Sequence, residues 1–333
     1  MDAILTLAAQ NLLSPMILSF ALGMAAALAR SDLSFPEAVA KGMSLYLLFA
    51  IGFKGGVSVS DHGLDGGLLA ALTVGVALSA ALPFLAFGLL RALTPLPITD
   101  AASVAAHYGS ISIVTFVTAS TVLDAQGIFH EGYMVAVAAA MEAPAILSAL
   151  WLISRLNGPG AREDRGALLR EILLNGSIVL LVGAFLIGWV TGEEGQREID
   201  AFITAPFKGV LCLFLLDMGL VAGRGLRAAR QKGAGGDVLA PGVLAFGVLM
   251  PLLGAAAGAA AGWALGLSAG GVALLMVLCA SASYIAVPAA MRVALPQANP
   301  AISLTLALGI TFPFNLVLGI PLYLAVANVL IGG

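Results

Sequence analysis

Two apolar stretches of the chain each contain a Ser-x-Ser pair, at residues 110–112 and 281–283. A shift of 171 residues superposes one pair on the other. Hydroxyl and backbone N–H donors hold small oxyanions, and matched polar breaks in two halves of an apolar chain predict a binding site between internal repeats. The predicted oxyanion ligands are Gly109, Ser110, Ile111, Ser112, Ser281, Ala282 and Ser283.

The residues around both pairs predict that the helices are interrupted there. Tyr108-Gly109 precedes the first pair, and Pro288 follows the second. A proline lacks an N–H and clashes with the carbonyl four residues earlier, here that of Tyr284. An interrupted helix exposes a new N-terminus with free N–H groups and partial positive charge, which attracts anions.

A second group of polar residues predicts a cation site. Glu142 lies in an otherwise apolar stretch, residues 133–153, where a charged side chain costs about 2.5–3.5 kcal/mol on insertion scales. Pro144 and Pro313 should free nearby carbonyls. Oxygen ligands suit a hard cation, although Glu142 could instead be protonated and bonded to a neighbouring helix. The predicted cation ligands are Glu142, Thr115, Thr311, Asn315 and Ser112.

The composition indicates a membrane protein. Hydrophobic residues make up 60% of the 333-residue chain and charged residues 10%, which leaves too little polar surface for a soluble domain. Runs of about 20 apolar residues are long enough to cross a bilayer. Ten such runs are predicted, near 4–29, 37–56, 67–91, 98–123, 132–155, 168–191, 199–222, 239–266, 269–293 and 299–331.

The basic residues are distributed unevenly between the linkers. Eleven of the fifteen Lys and Arg follow the odd-numbered spans, and by the positive-inside rule these linkers face the cytoplasm. Both termini should then lie outside, on the periplasmic side of a bacterial inner membrane. The eleven residues are Arg30, Arg91, Arg155, Arg162, Arg165, Arg170, Arg224, Arg227, Arg230, Lys232 and Arg292.

Further matched positions extend the repeat. Pro83 pairs with Pro251, and Pro144 pairs with Pro313, in the same order as the serine pairs. Each half holds five predicted spans, an odd number, so the second half should cross the membrane in the opposite direction. The predicted fold is all-α, with ten transmembrane helices in two inverted five-helix repeats, and with broken helices 4 and 9 crossing near the membrane midplane.

The sequence shows no pattern for catalysis. It has no metal-ligand cluster, nucleophile–base pair or phosphate-binding loop, and its two cysteines lie in apolar spans. We therefore expect no enzymatic activity, no cofactor apart from the coupling ion, and no nucleic-acid partner.

Several segments resemble the sodium-dependent bicarbonate transporter family of cyanobacterial carbon-concentrating systems. They are residues 51–56, 106–119, 133–135 and 141–146. The resemblance implies a sodium-coupled symporter that imports bicarbonate, with both ions held in the core near the crossing of the broken helices, and an elevator-like movement of this core against a gate. It divides the chain into gate parts at 1–65 (spans 1–2) and 161–236 (spans 6–7), and core parts at 66–160 (spans 3–5) and 237–333 (spans 8–10).

The resemblance also implies a homotrimer, and a cytosolic PII-like protein that binds the cytoplasmic face. Three alternatives stay open at this stage. The chain could transport another small anion, it could exchange a cation for protons through a similar architecture, or it could be a membrane sensor that binds anions without moving them.

Overall fold

The computed structural model describes residues 13–62, 66–142, 144–156, 174, 176–230, 240–284, 287, 288, 291, 295 and 297–332. Over these residues the chain is helical and contains no strand, in agreement with the predicted all-α class. The helices are α1 (Pro15–Leu28), α2 (Glu37–His62), α3 (Gly66–Leu93), α4 (Ile98–Gly109), α5 (Ile113–Ala125), α6 (Met134–Ala140), α7 (Pro144–Leu156), α8 (Gly176–Ile203), α9 (Phe207–Arg230), α10 (Pro241–Ala264), α11 (Ala269–Ala280) and α12 (Pro300–Ile331).

Six helical segments of the described chain are long and apolar enough to cross a membrane. They are Glu37–Val57, Gly66–Leu93, Ile98–Ala125, Phe207–Ala228, Pro241–Ala264 and Pro300–Ile331. Three shorter apolar segments accompany them, at Pro15–Leu28, Met134–Ala149 and Ala269–Ala280. The chain is thus a multi-pass membrane protein by length and composition. The count of ten spans, their inverted order and the four domain boundaries remain predictions.

The start predicted for span 7 lies too early in the chain. The structure begins α9 at Phe207, whereas the sequence predicted a span beginning at residue 199. The backbone of Gly192 is not helical (φ 57°, ψ −150°) and divides α8 next to residue 191, where span 6 was predicted to end; glycine adopts positive φ without strain. Beyond the kink, Arg197 donates to Glu193 at 2.6 Å, an i,i+4 pair that supports a polar helical turn.

Prolines interrupt two of the predicted spans. The fifth is divided into α6 and α7, with Met141 and Glu142 in a turn and Pro144 opening α7. In α12, π-helical turns at Ala307–Thr311 and Asn315–Gly319 flank Pro313. Both effects follow from the missing proline N–H, since the chain must break or widen to accommodate the ring. The prediction that Glu142 lies inside a continuous helix is therefore wrong.

The helices separate into two sets of neighbours. Helix α1 packs along α9, and α2 packs along α8 and also contacts α9. The second set includes α3, α4, α7, α10, α11 and α12, with α10 against α11 and α3 against both α4 and α7. Contacts between the sets involve chiefly α6 and α12. Several basic linker residues, Arg162, Arg165, Arg170 and Lys232 among them, lie outside the described residues.

The contact between α2 and α8 requires a glycine at residue 56. A Cβ atom at Gly56 would overlap the carbonyl oxygen of Phe185 in α8. Gly42, also in α2, has no atom within 4 Å of the position that a Cβ would occupy. The two glycines therefore differ in the space that surrounds them while sharing one helix.

We expect Gly56→Ala to destabilise the protein and Gly42→Ala to leave it unchanged or stabilise it slightly. Overpacking costs about 1–3 kcal/mol, whereas alanine favours a helix over glycine by about 1 kcal/mol. The measurement is the thermal unfolding midpoint of the purified protein in detergent. Equal midpoints for the two variants would contradict the tight α2–α8 contact.

Candidate functional site

The first Ser-x-Ser segment separates α4 from α5. Ser110 has extended backbone angles (φ −89°, ψ 149°), and so does Ser112 (φ −101°, ψ 106°). Ser112 caps α5, since its Oγ accepts from the Thr115 N–H at 3.3 Å and from the Thr115 Oγ1 hydroxyl at 2.9 Å. Ser112 accepts in both bonds, so neither of them uses its own hydroxyl proton.

The N-terminus of α5 also leaves backbone donors free. Within the described residues, the N–H groups of Ile111, Ile113 and Val114 have no hydrogen-bond acceptor. Ile111 is 1% exposed and Ile113 is 7% exposed. Buried N–H groups at a helix start favour an anion.

The second segment ends α11 at Ala280 in the same way. Ser281 is extended (φ −84°, ψ 162°), close to the angles of Ser110. Its Oγ donates to the carbonyl of Leu278 at 3.0 Å and accepts from the N–H of Ser112 at 2.8 Å. One interruption therefore supplies a hydrogen-bond partner to the other.

A reciprocal pair of bonds joins the two segments a second time. The Ser283 N–H donates to the His107 carbonyl at 2.8 Å, and the Ser283 carbonyl lies 2.6 Å from His107 Nδ1. Because a carbonyl only accepts, Nδ1 carries the proton. His107 thus anchors the contact between the two interruptions at residues 110–112 and 281–283, which we call the crossing. Ala282 lies between two hydrogen-bonded serines and is 4% exposed.

Gly109, the last residue of α4, has a packing role. A Cβ at this position would meet the ring of Pro83 in α3 and the Cβ of Ala145 at the start of α7. Glycine therefore lets α4 approach α3 and α7 closely, beside the break.

Glu142 reaches the first interruption from the turn between α6 and α7. Ser110 Oγ donates to Glu142 Oε2 at 3.2 Å, and the Glu142 side chain is buried. This bond brings together a predicted cation ligand and a predicted anion ligand. No group of three or more His, Cys, Asp or Glu that could hold a metal occurs in the described chain, so a cation here would use carboxylate, hydroxyl and carbonyl oxygens.

Thr311 lies beside the first interruption because it contacts Tyr108. Its Oγ1 donates to the carbonyl of Gly247 at 2.7 Å, which leaves its oxygen free to accept from the Tyr108 hydroxyl at 2.6 Å. Gly247 stands four residues before Pro251, so its carbonyl has lost its helical partner. Thr311 supplies the missing bond.

Asn315 supports the second interruption. Its Nδ2 donates to the carbonyl of Ala280, the last residue of α11, at 2.9 Å, and its Oδ1 accepts from the Tyr323 hydroxyl at 2.8 Å. Of the predicted cation ligands, the structure thus joins Glu142 to Ser110, and Thr115 to Ser112. It places Thr311 and Asn315 in separate bonds on either side.

A comparison with known protein families decides the affiliation of this chain. The model of the Na⁺-dependent bicarbonate transporter superfamily matches residues 15–328. The chain belongs to this superfamily. A search of curated proteins found no match. The superfamily assignment confirms the resemblance inferred from the sequence, while the ligand roles of the individual residues stay predictions.

Two polar partners in this superfamily member were missed by sequence reasoning. Ser79 Oγ donates to the Met141 carbonyl at 2.6 Å, and Gly247 accepts from Thr311. Ser79 stands four residues before Pro83, as Gly247 stands four before Pro251. Pro251 was a usable signal for the Gly247 contact, because it frees the carbonyl that accepts from Thr311. Ser79 bonds through its hydroxyl, so Pro83 gave no direct signal for that contact.

We expect Ser281→Ala to destabilise the transporter by about 1–3 kcal/mol, because it leaves the buried Ser112 N–H without its acceptor. Ser120→Ala is the matched control, since the Ser120 hydroxyl bonds only to the Val117 carbonyl of its own helix. The measurement is chemical or thermal unfolding in detergent. A loss no larger for Ser281→Ala than for Ser120→Ala would contradict the structural role of the crossing bond.

Proposed function

We propose that this protein is a sodium-coupled symporter that imports bicarbonate by alternating access. The observation that carries the proposal is the hydrogen bond from Ser110 to Glu142, because it links a carboxylate to a segment rich in anion donors. Membership of the Na⁺-dependent bicarbonate transporter superfamily supports the choice of both ions.

The proposed anion site lies at the start of α5. Bicarbonate would accept from the free N–H groups of Ile113 and Val114 and from the hydroxyl of Ser112. The partial positive charge of the helix N-terminus adds to these bonds. Ser281 and Ser283 hold the opposite segment in place through their bonds to Ser112 and His107.

The proposed cation site is built on Glu142. A buried carboxylate is costly in an apolar interior unless it is paired or neutralised, and within the described residues its only hydrogen bond comes from Ser110. A sodium ion bound to Glu142 would neutralise this charge. Thr115, Thr311 and Asn315 are proposed to complete or to support the oxygen shell, with Ser112 shared between the two sites.

Ser110 provides a route for coupling. The Ser110 hydroxyl donates to Glu142. When sodium takes a lone pair of that carboxylate, the hydroxyl can turn and donate to the anion. Sodium therefore removes a negative charge and supplies a donor, and bicarbonate must strengthen sodium binding by the same factor.

Alternating access is proposed to be an elevator-like movement of a core against a gate. The set of α1, α2, α8 and α9 corresponds to the gate, and these helices pack mainly on one another. The remaining helices carry both interruptions. A homotrimer and a PII-like protein on the cytoplasmic face belong to the same proposal and rest on the resemblance alone. The proposed location of both termini outside the inner membrane rests on the distribution of Lys and Arg.

Uptake of labelled bicarbonate into proteoliposomes tests the proposal. We expect accumulation with an inward sodium gradient and at least a tenfold lower rate when potassium replaces sodium. Accumulation of another small anion would keep the sodium-coupled mechanism and replace the substrate. Binding of bicarbonate without any flux would instead indicate an anion sensor.

We expect Glu142→Gln to raise the sodium concentration for half-maximal uptake about tenfold or more, since the amide cannot supply the charge that a cation requires. Glu193→Gln is the control, because Glu193 is exposed and pairs with Arg197 in the polar end of α8. The measurement is initial uptake rate against sodium concentration between pH 6 and 9.

An unchanged sodium dependence in Glu142→Gln would remove this carboxylate from the cation site. Exchange of a cation for protons by the unaltered protein, with no bicarbonate uptake, would favour a cation/proton antiporter, in which Glu142 titrates during the cycle.

A further inference from the structure

Tyr284, the residue that follows the second Ser-x-Ser segment, carries a buried hydroxyl that makes no hydrogen bond. Its Oη atom has no hydrogen-bond partner within the described residues, and the residue is 8% exposed. Burying a hydroxyl without a partner costs free energy, so most buried polar groups in folded proteins are paired. None of the bonds that hold the crossing together uses this hydroxyl.

The backbone and the ring of Tyr284 are held on both sides. The preceding residue, Ser283, is bonded to His107 through its N–H and through its carbonyl. The Tyr284 ring packs edge-on against Phe312 in α12, with centroids 5.5 Å apart and an angle of 73° between the planes. The hydroxyl therefore sits at a fixed place beside the crossing, where only its proton can turn.

The Tyr284 hydroxyl faces Ser112 in the first interruption. The Ser112 side chain is close enough to interact with this hydroxyl, although the two do not form a hydrogen bond. Ser112 Oγ already accepts from the N–H and from the hydroxyl of Thr115. Because a hydroxyl oxygen has two lone pairs, Ser112 has none left for the Tyr284 proton.

The space between Tyr284 and the start of α5 thus contains more donors than acceptors. The hydroxyl proton of Ser112 is not used in its bonds to Thr115. Whichever way the two hydroxyls turn, at least one proton lacks an acceptor. Within the described residues the N–H groups of Ile113 and Val114 also lack one. Donor protons beside a helix N-terminus favour an anion over a cation.

We propose that Tyr284 is a further ligand of the anion site, and that its hydroxyl donates to an oxygen of the oxyanion bound by Ser112 and the start of α5. The inference rests on the proposed function and deepens it. The anion would then join the two halves of the chain, since α5 belongs to the first and Tyr284 to the second. The ligand class is a small oxyanion with at least two acceptor oxygens, such as bicarbonate, nitrate or formate.

Tyr284→Phe tests this role because it removes the hydroxyl and keeps the ring that packs on Phe312. Tyr46→Phe is the matched control. The Tyr46 ring also packs edge-on against a phenylalanine, Phe202, but its hydroxyl donates to the Phe202 carbonyl at 2.6 Å, between α2 and α8. The measurement is the thermal unfolding midpoint in detergent, with bicarbonate replacing chloride at constant sodium.

Without bicarbonate, Tyr284→Phe should unfold at the same temperature as the unaltered protein or higher, because the lost hydroxyl had no partner. Bound ligand raises the midpoint by mass action. Tyr284→Phe should need about tenfold or more bicarbonate for the same rise, since a hydrogen bond to a charged group is lost. Tyr46→Phe should respond to bicarbonate as the unaltered protein does.

An equal bicarbonate response in Tyr284→Phe and the unaltered protein would overturn the proposal and leave the proposed function standing. A lower midpoint without bicarbonate, combined with an unchanged response, would assign the hydroxyl a structural role instead. A change confined to the sodium response would make Tyr284 a cation ligand, and this too would overturn the proposal.

The same titrations with nitrate and formate separate this proposal from the choice of substrate. If one of them stabilises the unaltered protein, bicarbonate does not, and Tyr284→Phe weakens that response, then the Tyr284 site stands and the proposed substrate fails. If none of the three anions raises the midpoint of the unaltered protein, the anion site fails and Tyr284 with it.

Uptake kinetics in proteoliposomes give the second test. Tyr284→Phe should raise the bicarbonate KM about tenfold, with kcat within about twofold of the unaltered protein, as expected for a contact made equally in the bound and the moving state. The sodium dependence at saturating bicarbonate should stay unchanged. An unchanged KM would overturn the role of Tyr284 in transport.

Discussion

The hydrogen bonds between the two interrupted helices are the interaction on which the rest of the structure depends. A backbone that leaves the helical conformation in an apolar interior exposes N–H and C=O groups that lipid cannot satisfy. Here each interruption supplies hydrogen-bond partners to the other, through the pair Ser112 and Ser281 and the pair His107 and Ser283. Neither segment can keep its extended conformation at low cost without the other. As a consequence, the backbone N–H groups at the start of α5 that have no acceptor within the described residues are fixed in place.

Prolines set the remaining polar contacts around this crossing. Pro83 and Pro251 lie inside α3 and α10, and the residue four before each forms a polar contact, in one case with the turn between α6 and α7 and in the other with α12. In the first half Ser79 donates to Met141, and in the second Thr311 donates to Gly247. The two halves therefore have a polar contact at corresponding positions, through the Ser79 hydroxyl in one half and the Gly247 carbonyl in the other. The internal repeat stays a prediction.

The two halves of the chain differ in charge at one pair of corresponding positions. Glu142 stands two residues before Pro144, and Thr311 stands two before Pro313. One half thus carries a buried carboxylate and the other a hydroxyl at the matched position. Only one strong cation ligand lies beside the crossing in the described chain. A site with one carboxylate and several neutral oxygens is consistent with a monovalent ion that neutralises it.

The sequence by itself determined the membrane class, the helical composition and the positions of both interruptions, because apolar runs, Ser-x-Ser pairs and prolines act locally on the chain. It also supplied the residues of the candidate site and the superfamily. Only the tertiary structure decided which of them meet. It placed Glu142 in a turn, joined it to Ser110, and directed Asn315 toward Ala280. The contacts of the candidate site join residues up to 203 positions apart, as between Tyr108 and Thr311. Packing selects such contacts among many polar residues that local spacing cannot distinguish.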